Sequence, residues 1–213
     1  MNNDNTTAQQ TTRRTPLVGC LTALGMAFTL ALPQAAQAQS VTPPPVPANI
    51  QVPAGNEAFL LGRGVGTQNY VCQPGDSLGR VAWTLFTPQA TLFSDQGDQL
   101  TTHFFSPNPV EGVIVRATWQ DSRDTSTVWA RAIASVADPN ASGAIAWVLL
   151  QVVGTNVGPT GGNTLSGTTF IQRLNTVGGS APATGCDIPT DVGHKAFVPY
   201  TADYFFYKAP SSN

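Results

Sequence analysis

The sequence predicts an all-β domain, a single antiparallel β-sandwich or barrel. Short segments rich in aromatic and β-branched residues recur along the chain, and turn residues such as Gly, Pro, Asn and Asp separate them. No window combines a helical hydrophobic period with caps at its ends. Many short strands separated by turns are typical of sandwiches and barrels.

The strongest strand signals lie near the end of the chain. Residues 167–177 and 198–207 are rich in aromatic and β-branched side chains. The pair Gly178 and Gly179 follows the first of these segments and predicts a turn. We therefore expect the two segments to be strands of the core.

Two breakers interrupt the predicted strands of the first half. Residues 62–66 contain three glycines between the strand candidates 58–61 and 67–72. They lack the G-x-G-x-x-G spacing and no helix pattern follows, so they predict a bulge or tightly packed bend rather than a phosphate loop. Pro88 separates two further candidates, residues 81–86 and 90–93.

The middle of the chain alternates strand candidates with polar turns. The longest apolar run outside the leader, residues 144–153, has apolar side chains on both faces. It predicts a central strand, with a buried helix as the alternative. Residues 154–167 predict a long loop. The other elements are strands at 100–105, 117–120 and 128–133 and turns at 94–98 and 121–125.

Residues 1–38 have the features of a signal peptide. Arg13 and Arg14 precede an apolar run, and Ala36 and Ala38 occupy the −3 and −1 positions of a cleavage site after Ala38. Three alternatives stay open: a lipoprotein acylated at Cys20, a twin-arginine signal and an uncleaved anchor. The leader predicts a secreted or periplasmic protein with no stable membrane span after cleavage.

The expected mature chain is a single domain with few charges. Residues 39–56 are rich in proline and predict a linker or an arm lying on the domain, and residues 57–213 form the predicted domain. Cleavage leaves 8 of the 10 basic and 11 of the 12 acidic residues, a net charge of −3. This balance argues against nucleic acid and anionic membrane surfaces as partners.

The cysteines support export. Without Cys20 an even pair remains, Cys72 and Cys186, and an oxidising compartment favours a disulfide between them. Two buried free thiols are the alternative. Asn140 begins a glycosylation sequon, which has meaning only in a eukaryotic secretory pathway.

Candidates for catalysis are few. His103 and His194 are the two histidines, and Asp203 is the carboxylate of most interest, but no G-x-S-x-G elbow accompanies them. We expect Asp203 to be a buried carboxylate paired with Arg173 or held by backbone amides. No His, Cys, Asp or Glu cluster has ligand spacing, so we expect neither a metal nor a cofactor.

Aromatic side chains supply the binding candidates. Trp119, beside the polar turn at 121–125, is the best candidate for a ring exposed for sugar stacking, and Tyr200 and Arg173 join it as binding candidates. Because each aromatic side chain buries a large apolar area, we expect the aromatic residues on strands to fill the core instead.

Several short motifs together resemble a known family. They are residues 70–72, 101–104, 146–150, 171–179, 185–186 and 198–204. The chain resembles, from Phe59 to Tyr207, the secreted bacterial and fungal proteins classed as domain of unknown function 3455. The resemblance implies a secreted β-rich domain with no established activity. Some fungal members carry a malate dehydrogenase label, which this chain does not support because it lacks the dinucleotide fingerprint.

We therefore expect a secreted, non-enzymatic β-sandwich that binds a glycan or the cell envelope. One alternative is a secreted hydrolase with a site near His194 and Asp203. The other is a structural coat or matrix protein.

Overall fold

The computed structural model describes residues 41–75, 79–140 and 143–210, and the predicted leader lies outside these ranges. They form the predicted all-β fold as a closed antiparallel barrel, in which each strand pairs with its sequence neighbours and the last pairs with the first. No helix in these ranges is both long and apolar enough to cross a membrane. The strands are β1 (Glu57–Pro74), β2 (Val81–Phe93), β3 (Gln99–Asn108), β4 (Ile114–Asp121), β5 (Thr127–Val136), β6 (Trp147–Asn156), β7 (Thr168–Gly178) and β8 (Lys195–Lys208).

The glycine run does not interrupt β1, which continues through it as one strand. The register shift between β1 and β2 lies later, between Asn69 and Tyr70, so the expectation of a break at the glycines is wrong. The glycines allow tight packing instead. A Cβ on Gly62 would lie 2.8 Å from Leu92 Cδ2, and one on Gly64 would lie 2.8 Å from Tyr204 Cε2.

Pro88 also lies inside one continuous strand, so β2 is not divided as expected. The β2–β3 ladder begins only at Ala90, which pairs with His103. Pro88 therefore lies at a position without a ladder partner on the β3 side, where a missing N–H costs little.

β6 is buried on both faces, which confirms the prediction for the long apolar run, although the strand begins at Trp147. Val148 and Leu150 face the lumen of the barrel. Trp147 and Leu149 face outwards and pack in a second apolar cluster around Ile50.

The proline-rich segment supplies Ile50 and so lies on the outer face of the barrel. Ile50 is fully buried, and Val41, Val46 and Val52 pack against the same outer cluster. Gln172 on β7 donates a hydrogen bond from Nε2 to the Ile50 carbonyl at 2.7 Å. The clustered prolines keep the segment extended, so it covers apolar side chains that the strands leave on their outer faces.

One end of the lumen is filled by a loop. Leu165, in the connection between β6 and β7, is fully buried in the inner cluster. Asp124 fixes this loop, because its Oδ2 accepts hydrogen bonds from Thr164 N and Oγ1 and its Oδ1 accepts them from Ser126 N and Oγ. Burial alone would raise the pKa of Asp124, but these donors lower it well below its usual range.

The predicted disulfide is confirmed. Cys72 on β1 is bonded to Cys186 in the connection between β7 and β8, with a Cα to Cα distance of 5.5 Å. The bond links residues separated by 114 positions, so it restricts the unfolded chain strongly in the chain-entropy model.

Replacing Gly64 with Ala tests whether the inward glycines are required for packing. The new methyl group would lie 2.8 Å from Tyr204 Cε2 and 3.2 Å from the Ala202 carbonyl oxygen. We expect a loss of about 1–3 kcal/mol in the free energy of unfolding, measured by urea denaturation. Gly167→Ala is the control, because its Cβ meets nothing within 4 Å. A stability loss no larger in Gly64→Ala than in this control would contradict the packing role.

Candidate functional site

A cavity of about 490 Å³ occupies the part of the lumen that the loop around Leu165 does not fill. This volume lies within the range of small-molecule sites. Its wall is mostly apolar, with a few polar side chains on different strands. The apolar lining includes Leu85, Phe105, Ala117, Val148 and Leu150, and the polar lining includes Gln68, His103, Trp119, Arg173 and Tyr204.

The cavity opens beside the hairpin of β3 and β4. The ladder with β2 ends at His103, and the ladder with β5 ends at Ala117. Beyond these two residues, the strands of the hairpin pair with each other. Its tip lies against β6, where Asn108 Nδ2 donates to the Val153 carbonyl at 3.3 Å. The missing ladder pairs leave gaps on both sides of the hairpin, which are crossed by hydrogen bonds from Phe105 N to Thr87 Oγ1 at 3.0 Å and from Trp129 Nε1 to Ser106 Oγ at 2.9 Å.

Arg173 brings a positive charge into this cavity. It pairs with Tyr204 on β8 and Val148 on β6, both of which face the lumen. Its guanidinium donates to the Ala146 carbonyl from Nε at 3.2 Å and from Nη2 at 2.8 Å. The cavity lining contains no Asp or Glu within the described ranges. The guanidinium therefore has the Ala146 carbonyl as a backbone acceptor and lies beside the Tyr204 hydroxyl, but no carboxylate of the described lining faces it.

Asp203 is not the partner of Arg173, which corrects our expectation. Adjacent strand residues point to opposite faces, so Asp203 faces outwards where Tyr204 faces inwards. Its Oδ2 lies 2.7 Å from Arg63 Nη1 and accepts a hydrogen bond from Asn175 Nδ2 at 2.8 Å. Asp203 is a carboxylate paired with an arginine, as expected, but that arginine is Arg63 on β1.

Two buried donors near Arg173 lack acceptors. Gln68 Nε2 and Trp119 Nε1 have no acceptor at hydrogen-bond geometry among the described residues, although the Gln68 amide lies close enough to the Tyr200 hydroxyl to oppose the increase that burial causes in its pKa. Both side chains are buried and line the cavity. The Gln68 side chain lies beside the Tyr200 hydroxyl, whose pKa burial raises above its usual range. Because buried polar groups are normally paired, two orphan donors in one cavity indicate a place for an acceptor.

Tyr200 and Tyr204 connect the environments of Gln68 and Arg173. Their hydroxyl groups lie 2.9 Å apart in a buried hydrogen bond. Burial raises the pKa of Tyr204, and the nearby Arg173 opposes that increase. Gln68 lies next to one hydroxyl of the pair and Arg173 next to the other. The polar ends of Gln68 and Arg173 therefore meet around one tyrosine pair.

His103 is held in its neutral form inside the barrel. Its ring stacks on Trp119 with centroids 4.1 Å apart and an interplanar angle of 9°. Burial lowers the pKa of His103 to about 3, although the Thr118 carbonyl, 2.9 Å from Nδ1, opposes the shift. The Arg173 charge lowers it further. His103 thus adds no positive charge to the cavity at neutral pH.

Trp119 is not the exposed ring for which it was the best candidate, because its side chain is fully buried in the lumen. The register explains this placement: Trp119 pairs with His103, and both residues occupy inward positions. Tyr200 is also buried, with 3% of its surface exposed. The expectation of an aromatic core is therefore confirmed for both Tyr200 and Trp119, and Trp119 and Arg173 line one cavity.

His194 and Asp203 do not come together. His194 precedes β8 on the surface, where its Nδ1 lies 3.7 Å from Asp191 Oδ1. Asp203 follows nine residues later along the strand, which corresponds to about 30 Å of extended chain. His103 is inside the lumen, so the predicted catalytic candidates occupy three separate places. Within the described ranges, no three or more His, Cys, Asp or Glu side chains form a group that could hold a metal.

Sequence reasoning missed Gln68. Alternate residues of a strand face the same side, so Gln68 faces inwards like Gly62 and Gly64. This alternation along β1 was the sequence feature that could have identified it. Using that signal required knowing that the strand continues through the glycines.

The buried neutral imidazole makes stability depend on pH. The unfolded chain binds a proton at His103 near pH 6.5, whereas the folded protein binds it only near pH 3. Stability is therefore highest above pH 6.5 and falls as the pH decreases, with a slope of up to about 1.4 kcal/mol per pH unit. We expect His103→Phe to remove this contribution between pH 5 and 6.5 in urea denaturation series.

The matched control for this experiment is His194→Phe, because His194 is exposed and His103 is retained. This variant should keep the pH dependence of the unaltered protein. An equal slope in the His103→Phe variant would show that the imidazole is not held neutral by burial.

A family model described as "Protein of unknown function (DUF3455)" matches residues 53–208. The matched range covers all eight strands of the barrel. No curated protein and no solved structure matches the chain significantly.

Proposed function

We propose that this chain, which belongs to the DUF3455 family, binds a small organic molecule in the lumen of its barrel. One observation carries the proposal: the cavity combines apolar walls with buried donors that have no acceptor among the described residues. Sites for small molecules typically have this composition, since apolar contacts supply burial and a few polar groups fix orientation.

The unpaired donors make an empty cavity unfavourable. A buried donor without a partner costs about 1–3 kcal/mol. Gln68 Nε2 and Trp119 Nε1 would each recover part of that cost by donating to a ligand or to an ordered water. The apolar wall formed by Leu85, Phe105 and Leu150 favours an organic ligand over water, because it offers no hydrogen bonds.

The gaps beside the β3–β4 hairpin would let a small molecule enter the lumen. The gaps beside the β3–β4 hairpin connect solvent to Phe105 and Ala117 on the cavity wall. Phe105 N still donates to Thr87 Oγ1 at 3.0 Å, which holds the hairpin close to β2. A ligand can enter through these gaps without separating any strand ladder.

We propose that this binding takes place outside the cytoplasm. The features of residues 1–38 support export, and the Cys72–Cys186 disulfide is compatible with an oxidising compartment. A surface site for glycans has less support, because its expected anchor, Trp119, is buried. A hydrolase using His194 and Asp203 together has less support as well, because the fold separates them.

The test is a fluorescence titration with N-phenyl-1-naphthylamine, an uncharged aromatic probe. We expect saturable binding to the unaltered protein with a stoichiometry near one. Ala117→Trp would place a large ring in the cavity, so we expect at least about a tenfold loss of probe affinity. The matched control is Ala82→Trp, because Ala82 is exposed on β2 and does not line the cavity.

Two results would contradict lumen binding. The first is the absence of saturable binding to the unaltered protein. The second is an equal affinity in the Ala117→Trp and Ala82→Trp variants, which would place the probe on the outer surface.

A further inference from the structure

We propose that the lumen ligand is an organic monoanion whose acid group is bound by Arg173 and Gln68. This inference rests on the proposed function and specifies the chemical class of its ligand. It depends on the number and sign of the charges that face the cavity, and on the donors and acceptors that are available there.

Arg173 is the only full charge deep in the cavity among the described residues that line it. His103 is neutral because burial lowers its pKa to about 3. Arg116 lines the cavity as well, but its guanidinium is engaged by Glu111, with both N to O distances at 2.8 Å. Arg131 lies exposed at the rim and donates to Gln151 Oε1. The cavity therefore complements a ligand with one negative charge better than a ligand with two.

The free groups around Arg173 are donors. Gln68 Nε2 has no acceptor at hydrogen-bond geometry among the described residues. The Arg173 guanidinium uses Nε and Nη2 on one carbonyl and lies beside the Tyr204 hydroxyl. An arginine carries five N–H donors, so it retains capacity for an acid group. Trp119 Nε1 is a further free donor on the same cavity wall. An acceptor-rich anion complements this set, whereas an amine or another cation does not.

The positions of Arg173 and Gln68 place the acid group of the proposed ligand deep in the lumen. Arg173 and Gln68 lie on either side of the Tyr200 and Tyr204 hydroxyl pair, which is buried. The apolar residues Phe105 and Leu85 lie along the wall towards the open hairpin. A ligand with an acid group at one end and an apolar or aromatic body at the other fits this arrangement.

A matched pair of probes tests the inference. 8-Anilino-1-naphthalenesulfonate has the same ring system as N-phenyl-1-naphthylamine and adds one sulfonate. We expect the unaltered protein to bind the anionic probe about 10- to 100-fold more tightly than the neutral one, as charge-assisted hydrogen bonds in a low-dielectric site would produce.

Substitutions at Arg173 and Gln68 distinguish a loss of the binding charge from a loss of the folded structure. Arg173→Met should abolish the preference for the anionic probe while retaining binding of the neutral probe, and Arg173→Lys should keep part of the preference. Gln68→Leu should weaken the anionic probe more than the neutral one. The charge-matched control is Arg123→Gln, because Arg123 is exposed at the β4–β5 turn with 73% of its side chain accessible.

The outcomes distinguish this inference from the function on which it rests. Equal affinity for the two probes in the unaltered protein, or an unchanged preference in Arg173→Met, overturns the anion site and leaves lumen binding intact. Loss of both probes in Arg173→Met also overturns it if Arg173→Lys binds them equally. Failure of the neutral probe to bind the unaltered protein counts against lumen binding itself.

Discussion

The pairing of β1 with β8 is the constraint on which the rest of the structure depends, because it closes the sheet into a barrel. This pairing places the inward glycines of β1 opposite bulky side chains of β8. Gly62 pairs with Tyr204. Gly64 pairs with Ala202, and a Cβ on Gly64 would lie 2.8 Å from Tyr204 Cε2. Small residues on one strand thus make room for large ones on the next, and the lumen can hold aromatic rings without strain.

The same closure divides the lumen into a packed end and an open end. Leu165 and the Phe206 ring belong to the packed end. The Trp119 ring, which also lines the cavity, contacts Phe206 edge-on with centroids 6.1 Å apart. The open end lies where the β3–β4 hairpin no longer pairs with β2 and β5. Several residues, including Trp119, Val148 and Tyr204, belong to both the apolar core and the cavity lining, so substitutions there affect stability as well as binding. Gln68 and Arg173 line the cavity without belonging to that core.

The parts of the fold that could be predicted from the sequence are those with local signals. The apolar run of β6 predicted burial on both faces, and the two cysteines that remain after the predicted leader predicted a disulfide. The positions of Trp119 and Asp203 could not be predicted in this way. Which face of a strand is inside depends on the register across the whole barrel, and a one-residue change reverses it. For this reason the sequence suggested that Arg173 pairs with Asp203, whereas neighbouring Tyr204 faces Arg173.

The placement of Arg173 is best understood through the cost of burying charge. A half-buried guanidinium held by one carbonyl loses part of its hydration, and no carboxylate of the described cavity lining compensates for that loss. A barrel whose only task was stability would be better served by an apolar residue at this position. The anionic ligand proposed above would supply the missing partner, and its binding would stabilise the folded state by mass action. The charge would then be unfavourable for the empty barrel and favourable for the occupied one.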